Sequence, residues 1–213
     1  MKSKRTIKTC AAMAMWGVFL LSGNSHATLQ LSGGLVGGSG DVENVLLTSE
    51  GGSGNLVTGE LNQSGHIVNF TSNESIFAPA GGQARIEAND GAFNYIEWEL
   101  EDPNLGFAKV QFNIDAVEDG FADIFLIDQF GTTFSFLNQA LGGSGQNFFT
   151  GFSEDDQVIT RAIINSGTSM TAISDLQQIR LGATERNQIP EPGSLALVAL
   201  GLLAAGWRQR QSV

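Results

Sequence analysis

Carboxylates carry most of the chemistry that this sequence could perform, and they come in groups. In Tyr95-Ile-Glu-Trp-Glu-Leu-Glu101 acidic and apolar residues alternate, so on an extended strand Glu97, Glu99 and Glu101 share one face. Retaining glycoside hydrolysis needs two carboxyls about 5 Å apart, one as nucleophile and one as acid/base. Glu97 and Glu101 would be that pair. Their Cα atoms stand about 13 Å apart on a strand at ~3.3 Å per residue, so the side chains would have to lean together. The same ladder also reads as the solvated face of an amphipathic strand. No aromatic subsite residues accompany it.

A second group surrounds a turn. Asp115, Glu118, Asp119 and Asp123 flank Gly120, and Glu154, Asp155 and Asp156 stand together further on. Hard cations such as calcium take several oxygens from a turn, so the first set is a candidate calcium site. It lacks the helix-loop-helix ligand pattern, with Val117 at the third position and Leu126 at the twelfth. Solvated turn carboxylates are the plain alternative.

Nucleophilic catalysis has little material. After the first 27 residues the only histidine is His66, and no serine lies in a Gly-x-Ser-x-Gly elbow. A triad needs a base beside its nucleophile and a third group to orient that base, so no catalytic residue is assigned. Gly-Gly-Ser-Gly occurs three times, at residues 37–40, 51–54 and 142–145. No Lys-Ser/Thr follows any copy, so these are turns and not phosphate cradles. Trp98 or Tyr95 could stack on a sugar, although Trp98 alternates in phase with Ile96 and Leu100 and so favours the core. Asn62, Asn69 and Asn73 begin acceptor sequons that matter only in a eukaryotic secretory pathway.

The elements that must position these groups are strands. In Phe107–Ala116, Ala108, Val110, Phe112, Ile114 and Ala116 share one face, and Lys109, Gln111, Asn113 and Asp115 the other. Phe121–Ile127 and Thr132–Leu137 flank Asp-Gln-Phe-Gly, a hairpin signal. Further strands are expected at residues 56–61, 66–71, 84–88, 147–152, 157–164 and 177–182. Only residues 169–178 could hold a helical turn. Turn clusters separate the strands every eight to twelve residues, the spacing of an all-β antiparallel fold. The expected architecture is a two-sheet, jelly-roll-like sandwich over residues 28–184.

Net charge is −11, and six of the eleven basic residues sit at the two ends. Between Thr28 and Ile189 five basic residues face 21 acidic ones, a balance of −16. That excludes nucleic acid as a partner, because binding phosphates requires clustered Lys and Arg.

The ends differ from the middle. Residues 1–27 show a basic start, an apolar run from Cys10 to Leu21 and a small-residue ending at Ala27, the layout of a secretory signal helix cleaved after Ala27. The only cysteine, Cys10, would leave with it, so the mature chain has no disulfide. Residues 185–189 read as a linker. After it come Pro190-Glu191-Pro192, 15 apolar residues from Gly193 to Trp207, then Arg208 and Arg210. A full membrane span takes about 20 apolar residues, so this hydrophobic helix is short. The arginines would stay cytoplasmic and leave the β domain outside.

The last 25 residues closely resemble the PEP-CTERM sorting signal of Gram-negative bacteria that make exopolysaccharide, with Ile189 where that family usually has Val. The resemblance implies recognition of Pro190, Glu191 and Pro192 by exosortase, a membrane protease-transpeptidase, and retention by Arg208 and Arg210. Residues 143–182 also resemble, more weakly, the closing strands of a domain that recurs among such exported proteins. Signal peptidase and exosortase are therefore the expected processing partners. The inner membrane is a transient anchor, and the cell surface or extracellular matrix is the destination. The leading expectation is a non-enzymatic exported protein associated with exopolysaccharide or biofilm, needing no cofactor. A calcium-assisted carbohydrate-binding module and a jelly-roll glycoside hydrolase using Glu97 and Glu101 remain as alternatives.

Overall fold

The computed structural model describes residues 28–37, 41–48, 53–79, 84–143, 145–154, 157–167 and 172–186. These form twelve strands: β1 (Leu29–Gly33), β2 (Glu43–Leu47), β3 (Ser53–Leu61), β4 (Ile67–Phe77), β5 (Arg85–Ala88) and β6 (Tyr95–Leu100), then β7 (Leu105–Ala116), β8 (Gly120–Asp128), β9 (Thr133–Leu141), β10 (Asn147–Ser153), β11 (Ile159–Asn165) and β12 (Ile173–Glu185). The signal segment 1–27 and the sorting segment 190–213, with the two expected helices, lie outside the described residues.

Alternation dictates which side chains go inside. Along β6 burial alternates residue by residue, with Ile96, Trp98 and Leu100 inside. On β8 Ala122, Ile124 and Leu126 do the same. Trp98 is 0 % exposed and sits at the middle of an aromatic core. It meets Phe112 edge-on at 5.2 Å and Phe70 at 6.3 Å, and Phe112 in turn stacks on Phe149 at 5.8 Å. Such pairs add about 0.5–1.5 kcal/mol each beyond the area they bury.

The strands are one sheet, in the order β1-β10-β7-β12-β2-β3-β4-β6-β11-β8-β9. That replaces the expected two-sheet, jelly-roll-like sandwich. The sheet curls until β11 meets β7, where Ile159 pairs with Phe107, and seven strands from β7 round to β11 form a closed ring. β5 bridges β12 and β4 as a second link across it. Alternation identifies strands and their inner faces, but it is silent on whether those faces meet as two stacked sheets or as one curled one. Bulges produce the curl. β12 alone shifts register three times against β7. One shift brackets Gln178, which stands at φ 55. The one stretch that could hold a helical turn, residues 169–178, does not hold one where it is described: from Ile173 onward the chain is strand, held against β7.

Glycine makes the closure physically possible. A Cβ on Gly106 would stand 2.5 Å from the Ile159 carbonyl oxygen and 2.5 Å from Val158 Cγ1, and one of those atoms is backbone that cannot step aside. Gly106→Ala is therefore expected to cost about 1–3 kcal/mol, the usual penalty of overpacking, read as a lower denaturation midpoint. Gly33→Ala, which meets nothing within 4 Å, should leave the midpoint nearly unchanged. Equal effects from the two substitutions would show that the seam is not where the sheet closes.

Candidate functional site

The acidic ladder of β6 is a set of clamped side chains. β6 lies between β4 and β11, with Glu97 opposite Thr71 and Glu99 opposite Asn69 on the β4 side. Ala162 pairs with Trp98 on the other side, so Arg161 comes level with Glu99. Arg161 donates to Glu99 Oε2 from Nε at 3.1 Å and from Nη2 at 3.0 Å. Its Nη1 stands 3.6 Å from Glu97 Oε2. Tyr95 donates its hydroxyl to that same oxygen at 2.8 Å. The structure thus joins Glu97 to Glu99 through one arginine. Glu101 lies past the end of β6, exposed, with its N–H on the Ile67 carbonyl. Glu97 and Glu101 share no partner among the described residues. Pairs as exposed as these are worth at most about 1 kcal/mol.

The sugar-stacking reading of Trp98 ends with its full burial. His66 lies between β3 and β4, and its carbonyl accepts from the Leu61 N–H at 2.9 Å.

Two carboxylates of the Asp115–Asp123 turn, Asp119 and Asp123, fasten neighbouring chain. Asp119 Oδ1 accepts from the Gly143 N–H at 2.8 Å, and Asp123 Oδ1 accepts from the Asn138 N–H at 2.7 Å. Gly143 packs so tightly that a Cβ there would stand 2.5 Å from Glu118 Cα. Among the described residues no three His, Cys, Asp or Glu side chains gather to hold a metal. Of the second acidic group, Glu154 donates its N–H to the Thr28 carbonyl at 3.3 Å; Asp155 and Asp156 lie outside the described residues.

Asp115 belongs to a different place. It stands directly opposite Asp175 of β12, which in turn stands opposite Glu87 of β5. Arg85 joins the two partners of that strand pair, Nη2 to Asp175 Oδ2 at 2.9 Å and Nε to Glu87 Oε1 at 2.9 Å. Burial pushes the Asp175 carboxyl above the usual carboxylate range; Arg85 opposes this, and the facing Asp115 adds to it. The only sequence signal for this place was the polar outer row of β7. The stretch around Asp175 shows no clear alternation and could equally hold a helical turn, so the sequence does not reveal the pairing.

β12 then carries the chain to the barrel's end, where the Arg186 N–H bonds the Asn104 carbonyl at 2.8 Å and Arg186 Nε bonds the Leu105 carbonyl at 2.7 Å. Directly beyond, residues 188–211 match the family model of the PEP-CTERM protein-sorting motif. The chain carries a PEP-CTERM sorting motif. It is thereby an exported protein sorted by exosortase and anchored transiently in the membrane before cleavage. No curated protein and no solved structure matches the chain. The PEP-CTERM residues Pro190, Glu191, Pro192, Arg208 and Arg210, and the expected cleavage position Ala27, lie outside the described residues. Among the described residues no helix is long and apolar enough to cross a membrane.

The β6 clamp has a spectroscopic signature. Burial, and then the hydrogen bond to Glu97, push the Tyr95 hydroxyl up to about 12, and the chain has one tyrosine. Phenolate absorbance of the folded protein should therefore rise with a midpoint about 12, and near 10 once unfolded. The folded phenol keeps its proton where the unfolded one loses it, so stability falls as pH climbs through that window. Glu97→Gln should move the folded midpoint down. An unmoved midpoint would remove Glu97 from the clamp.

Proposed function

We propose that this protein leaves the cell by its N-terminal signal segment, which signal peptidase removes after Ala27. The short apolar run after Pro192 then holds it in the inner membrane, and exosortase cleavage releases it. The barrel ends at the cell surface or in the extracellular matrix, where it associates with exopolysaccharide as a non-enzymatic part of a biofilm. The PEP-CTERM match over residues 188–211 carries this reading.

Three features of the barrel support it. Of the two carboxylates that a hydrolase would use, Glu97 is held by Tyr95 and Arg161, and Glu101 shares neither partner. The balance of −16 over residues 28–189 keeps such a domain soluble and off nucleic acid, while leaving neutral sugars accessible to hydrogen bonding. Thr28 and Arg186 also leave from the same end of the barrel. Leu29 pairs with Ser153, whose hydroxyl donates to the Ala108 carbonyl, and Arg186 bonds Asn104 and Leu105 at the start of that same β7. A precursor held by both terminal segments would therefore present this one end to the membrane. From Arg186 to Pro190 the chain reaches at most about 14 Å, so exosortase would act close to that end.

Replacing Pro190, Glu191 and Pro192 together by alanine in the producing cell tests the route. The expected result is full-length chain accumulating in the membrane fraction, with less protein at the surface and in the medium. Unchanged release, with the same C-terminus, would overturn the proposed route.

A further inference from the structure

The outer face of β7 and β12 holds polar groups that the fold buries without giving them partners. Asn113 is 0 % exposed, yet neither its Oδ1 nor its Nδ2 has a hydrogen-bond partner. Asp175 is 1 % exposed; its Oδ2 takes Arg85, and its Oδ1 has no partner. Asp175 pairs with Asp115, and Gln177 pairs with Asn113, so two carboxylates and two amides occupy one patch of a single sheet face. Side chains directly opposite stand about 5 Å apart at Cβ and diagonal neighbours about 7–8 Å, within reach of one small ligand. The chain also closes over this patch. A Cβ on Gly145, which stands at φ +76, would lie 3.0 Å from Asp115 Oδ1.

Each unpartnered buried polar atom is costly, and like charges directly opposite on a sheet repel. Arg85 relieves only part of this, because Glu87 shares it. One species satisfies the unpaired oxygens and the facing carboxylates together. We propose that this patch binds a single divalent cation, calcium, through Asp115, Asp175 Oδ1 and Asn113 Oδ1, with the Gln177 amide oxygen alongside. Water held by the ion accepts from Asn113 Nδ2. Calcium takes six to eight oxygens in flexible geometry and accepts amide carbonyls, whereas magnesium demands near-octahedral geometry and keeps its waters. The site shares only Asp115 with the acidic turn.

Thermal melting of the purified protein in calcium, in magnesium and in chelator tests the site, with calcium titration calorimetry beside it. Calcium at about a hundred times its Kd should raise the midpoint by roughly 5–10 °C over chelator, with magnesium well below that. Asp175→Asn should abolish the rise. Asn113→Leu covers the case in which that variant fails to fold. It removes a ligand and an unpaired polar group together, so its midpoint in chelator should equal or exceed the parent's while the calcium response disappears. Asp119→Asn with Asp123→Asn should leave the response intact. A parent protein that takes up no calcium would overturn the proposal. So would a response that survives Asn113→Leu, or one that vanishes with Asp119 and Asp123.

Discussion

The close approach of β11 to β7 is the constraint on which the rest of the barrel depends. Ile159 and Phe107 can pair only because Gly106 leaves the Ile159 carbonyl room. Once they pair, both side chains are fully buried and the ring around Trp98, Phe70 and Phe112 is sealed. A sheet of this length left open would expose apolar inner faces that water penalises at about 25 cal/mol per Å². Closure also limits the free edges, since in the strand order only β1 and β9 are terminal. β9 is marked as an edge by its local irregularity. Asn138 stands at φ 54 beside a register shift against β8, and Asp123 holds its N–H. Bulges of this kind turn an edge away from further pairing.

Closure has a second consequence, on the outside of the ring. β7 is flanked along its length by β10 and β12, and the segment after β1 folds over its outer face. Gln111 Nε2 donates to the Val36 carbonyl at 3.2 Å, while Thr150 Oγ1 donates to the Gly34 carbonyl at 2.8 Å and accepts from the Val36 N–H at 3.0 Å. Polar residues that alternation would leave in water are thereby enclosed. Gln111 finds a partner under this cover, and Asn113 does not. The calcium site proposed above lies where this polar strand face has been covered.

Most of the strands were legible in the sequence, because half-buried strands write their inner face as a period of two. Trp98 was rightly placed in the core by its phase with Ile96 and Leu100, and the Asp128–Gly131 hairpin by its turn residues. β1 and β2 were missed: each buries a single residue, Leu29 and Val45, so neither writes an alternating inner face. β12 was half misread because a register shift at Gln178 breaks its alternation. Curl and closure depend on such shifts and on contacts between residues as distant as Gly106 and Ile159, which no local pattern records. The same limit hid the facing of Asp115 and Asp175. Neighbouring carboxylates in the sequence suggested a turn site, whereas register brings Asp115 to a strand 60 residues away.

The sorting motif and the strands occupy separate stretches of the sequence. The last described strand ends at Glu185, and the PEP-CTERM match begins at residue 188, so a cut near Pro190–Pro192 leaves all twelve described strands on the released chain. The most direct test is the intact mass of the protein recovered from outside the cell. The expected chain begins at Thr28 and ends close to Pro190–Pro192, lacking the apolar run and both terminal arginines. An external chain that still carries residues 193–213 would contradict it.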